Sequence, residues 1–512
     1  MKNSFFLVIP KQQDNPLRLQ EFEVKILEQW IAELPTANLS MATRLIYDYI
    51  VDFNSIKMPV ALRIDALEML RPSYLAIEDF LRARMIKNEF PKDDKDQKIL
   101  KLLVALERQF TLSYWIVLKE RSSVDLGWFR GKTAALSIQR CIEGLSNIVI
   151  SHFMMGMPVV DWVWLDLHSL YKLSVKIKKN TTQVAAKSLS HASRTSSPEA
   201  SYLQVILLSL ADPTGLMQEE IRLVYDFIET IIPLVSLQNK PVERRTQCVI
   251  LVEEDQSPYF HLGKEPESDS VKLYLDLTKL YLAFAQKKIP AISTQTRFSR
   301  RHALKTTNGM LTADLLAYLQ QRWSGIGLES EPLFSDRLDR FIAIGLTSSF
   351  KLLKSEGETE IEHDLEIPVQ SVSNRLLSGV FSKSGVLSVG SLISFRKADM
   401  PEHRRALGVV DKLEVQNDKG KLHFGVQLLA SQTLGVSYLM LDASPSDLPK
   451  KGLFYSVKDE KTKSYLIVDT FSIKEGDVIR LLINNDDVPI ALKNKKNIGL
   501  GYWQFECWKW NG

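Results

Sequence analysis

Ala406-Leu407-Gly408-Val409-Val410-Asp411-Lys412-Leu413-Glu414-Val415 and Lys421-Leu422-His423-Phe424-Gly425-Val426-Gln427-Leu428-Leu429 decide the fold of the C-terminal part of this chain. Both runs are rich in residues that fit a pleated surface. Asn417-Asp418-Lys419-Gly420 lies between them, and Asp and Gly tolerate the positive φ angles that hairpins need. The pair therefore predicts an antiparallel hairpin. Further strand candidates lie on both sides, at residues 341–344, 391–395, 455–457, 464–470 and 478–484. Short strands at such close spacing predict a small antiparallel barrel or sandwich. Near the end, Trp508 and Trp510 alternate with Lys509, the pattern of a terminal strand with one buried face.

Upstream the period changes. From about residue 17 to 246 the apolar residues recur at helical spacing, as in Leu27, Trp30, Ile31 and Leu34. Asn38 or Ser40 is a fitting N-cap for a helix that turns Ile46, Ile50 and Val51 inward. Further runs cover 61–86 (interrupted at Pro72), 97–119 and 132–154, then 202–211 and 217–232. Short polar separators predict antiparallel helices packed as a bundle or as helical hairpins. Residues 176–200, polar and basic, read as an exposed loop. Between 247 and 329 a β-rich Cys248-Val249-Ile250-Leu251-Val252 is followed by helical patterns at 271–285 and 311–323. The expected fold class is thus multidomain α+β. A helical region spans 1–246, a mixed connector 247–329, a β-barrel 330–435 and a β-rich extension 436–512.

A chain of 512 residues exceeds one hydrophobic core and calls for several domains. The 65 Lys and Arg against 61 Asp and Glu leave a net charge of +4, without the concentrated basic face of a nucleic-acid binder. Cys141, Cys248 and Cys507 form no CxxC pair and no even framework, which fits a reducing cytoplasm. The N-terminal apolar run stops at Pro10 with no small-residue cleavage site after it, so no signal peptide is expected. No apolar stretch reaches the roughly 20 residues that cross a bilayer.

Enzyme signatures are absent: there is no GxGxxG, P-loop, HExxH or GxSxG. The eight histidines are scattered, none pairing with another at metal-ligand spacing. Asp161 and Asp166 bracket Trp162 and Trp164. Five positions apart on a helix they do not share a face, so they mark a helix end with buried tryptophans and not a carboxylate pair. The chain is therefore expected to be non-catalytic, with no cofactor and no metal.

The segment LGVVDKLEV…KLHFGVQLLA resembles the last strands of PilZ-like domains. The helical stretch ELPTANLSMATRLIYDYIVDFN and the QQRWSG ahead of the barrel are similar to long proteobacterial proteins that carry such a domain behind a helical region. The resemblance implies a receptor for cyclic di-GMP that couples signalling to surface attachment or motility machinery such as type IV pili, with a protein partner held by the helical region. In that family an RxxxR segment precedes the first strand and a (D/N)xSxxG segment follows. Guanidinium forks suit phosphates and guanine edges, and the glycine admits the nucleotide to the backbone. The matching windows here are Leu333–Arg337, with leucine for the first arginine, and Ser371–Leu376, with serine for Asp or Asn and leucine for glycine. The residues implied as ligand contacts are Arg337, Arg340, Ser371, Ser373 and Asn374. An intact RxxxR at Arg297–Arg301 stands some forty residues ahead of the strand and reads as a solvated basic turn. The alternative to an effector is an interaction scaffold that no longer binds nucleotide.

Overall fold

A computed structural model describes residues 7–122, 132–188, 191–242, 244, 246–263, 268–292, 310–325, 333–334, 339–354, 365–416, 420–458, 462–483 and 486–510. Helices come first: α1 (Pro16–Gln20), α2 (Val24–Ala32), α3 (Leu39–Ser55), α4 (Val60–Met85), α5 (Asp94–Ser122), α6 (Lys132–Met154) and α7 (Val163–Lys176). Asn38 caps α3, its side chain accepting from the Met41 amide at 3.2 Å and so satisfying a donor the helix itself leaves open. Pro72 does not interrupt α4, which runs unbroken through it. The proline faces outward, while Arg71 and Tyr74 beside it are buried and hold both halves in line.

The segment expected as an exposed loop at 176–200 instead forms a hairpin of β1 (Val184–Ser188) and β2 (His191–Ser196), pairing Val184 with Ser196. Its cause is tertiary, since buried Arg140 donates to the Ala185 carbonyl at 2.9 Å. Helices α8 (Pro198–Leu210) and α9 (Gln218–Ile231) follow. Then an antiparallel sheet in the order β3 (Ser236–Gln238), β6 (Lys272–Asp276), β4 (Thr246–Leu251), β5 (Tyr259–Leu262) lies ahead of α10 (Thr278–Ala285). The helix expected over 271–285 is thus half strand: Leu273 and Leu275 pair with Ile250 and Cys248. Strands β7 (Ala291–Ile292) and β8 (Leu311–Thr312) are parallel, and α11 (Ala313–Trp323) closes this part. Trp323 is fully buried and donates from Nε1 to the Leu207 carbonyl at 2.9 Å. One apolar cluster runs from Leu7 to Trp323, so the mixed segment packs on the helical core.

That core carries buried charge. Arg140 grips both carboxylate oxygens of Glu68 at 2.9 Å, and Arg71 reaches Glu143 at 2.5 Å. Arg82 lies between Glu78 and Glu107, 3.1 Å from Glu107, and the Tyr74 hydroxyl donates to Glu107 as well. Burial together with the nearby charge of Glu78 pushes the Glu107 carboxyl well above its ordinary range. Burial also opposes charge on Glu78, but the Arg82 guanidinium outweighs it and holds that carboxyl below its ordinary value.

Two closed six-stranded antiparallel barrels follow. The first has the order β10 (Ile367–Ser371), β11 (Leu376–Val380), β14 (Lys421–Ala430), β13 (Ala406–Val415), β12 (Leu392–Lys397), β9 (Asp339–Ile344), and β9 pairs back onto β10. The β13–β14 hairpin expected from sequence forms, with Leu413 opposite Phe424; residues 417–419 of its turn lie outside the described residues, and Gly420 has a φ of 74°. The stretch expected as a β-rich extension is itself a closed barrel of β15 (Leu434–Met440), β16 (Lys450–Lys458), β17 (Thr462–Val468), β20 (Tyr502–Lys509), β19 (Asp486–Gly499) and β18 (Val478–Ile483). In β20 the buried face is that of Phe505, whereas Trp508 is 49% exposed, with the Lys493 ammonium 4.5 Å from its ring. The tryptophans thus line the outer surface of the terminal strand, opposite to the face the alternation suggested. Closure supplies a barrel interior that β20 fills from its other face.

Helix α12 (Gly345–Lys354) lies between the barrels, where Leu346 shares a core with Leu392 and Leu407 of the first and Leu453 and Ile467 of the second. Among the described residues, no helix is long and apolar enough to cross a membrane.

Candidate ligand site

Side chains alternate across a strand, so Arg340, Ile342 and Ile344 of β9 share one face. Ile342 is fully buried in the barrel core, which puts Arg340 on the inward side at the end where β9 begins. Across the sheet Val369 of β10 faces Arg340, and Ser371, two positions on, points the same way. The Arg340 guanidinium donates to the Ser371 hydroxyl and sits 4.7 Å from the centre of the Phe334 ring. Phe334 in turn packs edge-on against Phe395 at 6.1 Å. Arg340 and Ser371 are only 4% and 2% exposed. A guanidinium is tolerated there because hydrogen bonding and an aromatic face replace part of its lost hydration.

The connection from β10 to β11 forms the rim. The Ser373 hydroxyl accepts from the amides of Arg375 and Leu376 at 3.2 and 3.1 Å, a side-chain turn that serine makes locally. The Val372 amide donates to the Leu376 carbonyl at 3.0 Å. The Asn374 carbonyl accepts from both Leu333 and Phe334 amides at 2.9 Å, tying the segment ahead of β9 to this rim. The two windows singled out in sequence therefore meet at one mouth of the first barrel. Arg340 and Ser371 bond to each other, Ser373 holds the turn, and the Asn374 side chain is exposed. Arg337 and the Arg297–Arg301 segment lie outside the described residues. Leu333, where the family pattern has arginine, packs partly buried against the barrel core.

Sequence reasoning missed a second charged group on the outer face beside this mouth. Arg396 clamps Glu366 with both Nε and Nη2, at 2.9 and 2.6 Å, and Arg405 donates to the same carboxylate. Arg405 also reaches the Ser394 hydroxyl at 2.8 Å and the carbonyls of Phe341 and Ser394. Burial disfavours charge on Glu366, yet hydrogen bonds from Arg396 and Arg405 outweigh it and hold its carboxyl below the ordinary range. No local signal announces this triad, because Arg396 and Arg405 lie 30 and 39 residues from Glu366 and meet it only when the barrel closes. Among the described residues no group of His, Cys, Asp and Glu is arranged to hold a metal ion.

Residues 25–242 match the family model described as the N-terminal domain of the cyclic-di-GMP receptor FimW. The helical region is FimW-like. The chain is 26% identical over 324 residues to the cyclic-di-GMP receptor FimW of Pseudomonas aeruginosa, covering 62% of this chain. It spans about half, 51%, of the length of that FimW protein. No solved structure matches the chain.

Proposed function

We propose that this chain is a non-catalytic cyclic di-GMP effector of the cytoplasm that couples nucleotide binding to a protein partner, in surface attachment or motility machinery such as type IV pili. The observation that carries the proposal is the likeness of residues 25–242 to the N-terminal domain of a cyclic-di-GMP receptor, placed ahead of a closed barrel. The barrel mouth supports it by bringing together the segment ahead of β9 and the Ser371–Leu376 turn. Arg337, Arg340, Ser371, Ser373 and Asn374 are the proposed contacts, with guanidinium groups meeting phosphates or guanine edges. Arg340 would exchange its bond to Ser371 for one to the ligand. Calorimetry of the full chain against cyclic di-GMP, with GTP as control, tests this. Saturable binding of cyclic di-GMP and not GTP is expected, and Arg337→Ala weakens it by roughly 1.5–3 kcal/mol, the range for charged hydrogen bonds.

A second reading, a scaffold whose barrel no longer takes nucleotide, is favoured by Leu333 and Leu376 standing where the family pattern has arginine and glycine. It predicts no heat from the native chain at about 100 μM nucleotide, an affinity weaker than roughly −5.5 kcal/mol. Gain of binding in Leu333→Arg/Leu376→Gly would then mark a receptor descendant kept for its partner surface.

A further inference from the structure

The first barrel does not close its core alone. Phe90, in the connection between α4 and α5, is 5% exposed and belongs to the same buried cluster as Phe381, Leu387 and Val389. Its backbone completes the join: the Phe90 amide donates to the Leu387 carbonyl at 2.8 Å, and the Phe90 carbonyl accepts from Val386 and Leu387 at 2.8 and 2.9 Å. The Gly385 amide bonds to the Pro91 carbonyl at 3.1 Å. Gly156, at φ 63°, is shaped to this contact, since a Cβ there would lie 3.3 Å from both the Phe90 ring and Val415. Val415 donates to the Gly156 carbonyl at 2.8 Å, so a second connection of the helical region grips the same end.

This end is opposite the candidate ligand site. Residues 385–391 lead from β11 into β12, whereas the rim at 372–375 leads from β10 into β11. The five residues of β11 separate them by roughly 15 Å. Aromatic packing fills the space: Phe334 on Phe395 near the mouth, Phe381 edge-on to Phe424 at 6.2 Å farther in, and Phe90 in the same cluster at the base. Close-packed interiors transmit displacement because they hold little void to absorb it.

We propose that Phe90 is a coupling residue, through which the helical region senses the arrangement of Phe334 and Arg340 at the barrel mouth. When a ligand draws Arg340 from Ser371, Phe334 loses its cation partner and the aromatic packing resettles. Phe90 and the ends of α4 and α5 follow. The coupling is reciprocal, as any coupling free energy between two sites must be. The ligand's identity rests on the function proposed above, but the mechanical link does not.

Hydrogen exchange of the full chain tests the link without ligand. In Phe90→Ala, the Leu333 and Phe334 amides, which bond to Asn374 at the far mouth, should exchange about tenfold faster or more, while Phe90→Leu stays near the native rate. Conversely, Phe334→Leu should speed exchange of the Phe90, Val386 and Leu387 amides, a variant that serves if Phe90→Ala does not fold. Acceleration confined to the mutated end in both variants overturns the proposal. With cyclic di-GMP added, calorimetric binding should bring protection of the 385–387 amides; binding without it also overturns the coupling. Absence of binding sinks the nucleotide reading instead, and the ligand-free exchange then decides the link.

Discussion

At the scale of single residues, Arg340 shows how a charged side chain is accommodated inside a barrel. Its side chain points into the first barrel, and the Ser371 hydroxyl and Phe334 ring hold it there. Its removal leaves the hydroxyl and the ring facing a void. Arg340→Ala should therefore lower the stability of the chain by roughly 1.5–3 kcal/mol in urea unfolding, and Ser371→Ala by about 1 kcal/mol. Arg340→Lys keeps the charge but loses the planar fork, so it should fall between these. A change under about 0.5 kcal/mol in Arg340→Ala would show that the mouth does not depend on this side chain. The interaction is local in space and remote in sequence, 31 positions apart. Ser371 stood in the second motif window and Arg340 just beyond the first, and neither gave a sign that the two bond to each other.

At the scale of elements, the buried charges between α4 and α5 make folding sensitive to pH. Glu107 has its carboxyl raised by burial and by Glu78, so it is protonated in the fold at a pH where the unfolded chain has released that proton. Its contribution is complete below the unfolded value of about 4.5 and is lost as pH rises toward the raised value. Glu68, Glu78 and Glu143 have lowered carboxyls and act in the opposite sense, losing their contribution only as pH falls below about 4.5. Burial lowers His152, and His168 to about 4, so both favour the fold above pH 6.5 and oppose the Glu107 trend. Comparison with Glu107→Gln cancels those histidines. Relative to the native chain, the variant should gain stability steadily from pH 5 to pH 8, read as the difference in urea midpoints. A pH-independent difference would place Glu107 as a charged partner of Arg82 throughout. Removing Arg82 instead leaves the Glu78 carboxylate buried without its guanidinium, a change of the kind that costs about 3–5 kcal/mol.

At the scale of the whole molecule, the parts share cores. The mixed segment ends in Trp323, buried against the helices, α12 joins the two barrels, and Phe90 belongs to the first barrel although it is 249 positions before Asp339 begins β9. A fragment of residues 330–512 should keep the strands of both barrels but lose the plug at the base of the first. Truncating a buried phenylalanine costs about 3–5 kcal/mol, and here the backbone bonds to residues 385–387 go with it. The fragment is expected to be β-rich in circular dichroism, to bind a hydrophobic dye and to melt well below the full chain. A fragment as stable as the β-part of the full chain would show that Phe90 adds little to the barrel.

The sequence by itself determined the order of classes along the chain, because helical and strand periods are local properties of which residues meet water. It offered Asn38 as one of two caps for α3, and placed the 132–154 helix and the 406–415 strand almost to the residue. It also located the two segments that meet at the barrel mouth. What it could not carry were the decisions made by distant partners. Pro72 stays in a helix because buried neighbours flank it, and 184–196 pairs as a hairpin that receives Arg140. Residues 434–509 close into a second barrel instead of extending the first. Strand closure, the Glu366–Arg396–Arg405 triad and the Phe90 plug each depend on groups tens to hundreds of residues apart. Such contacts form only when burial of apolar surface brings the elements together, and no local pattern encodes which of several compatible partners a strand edge or a buried charge will meet.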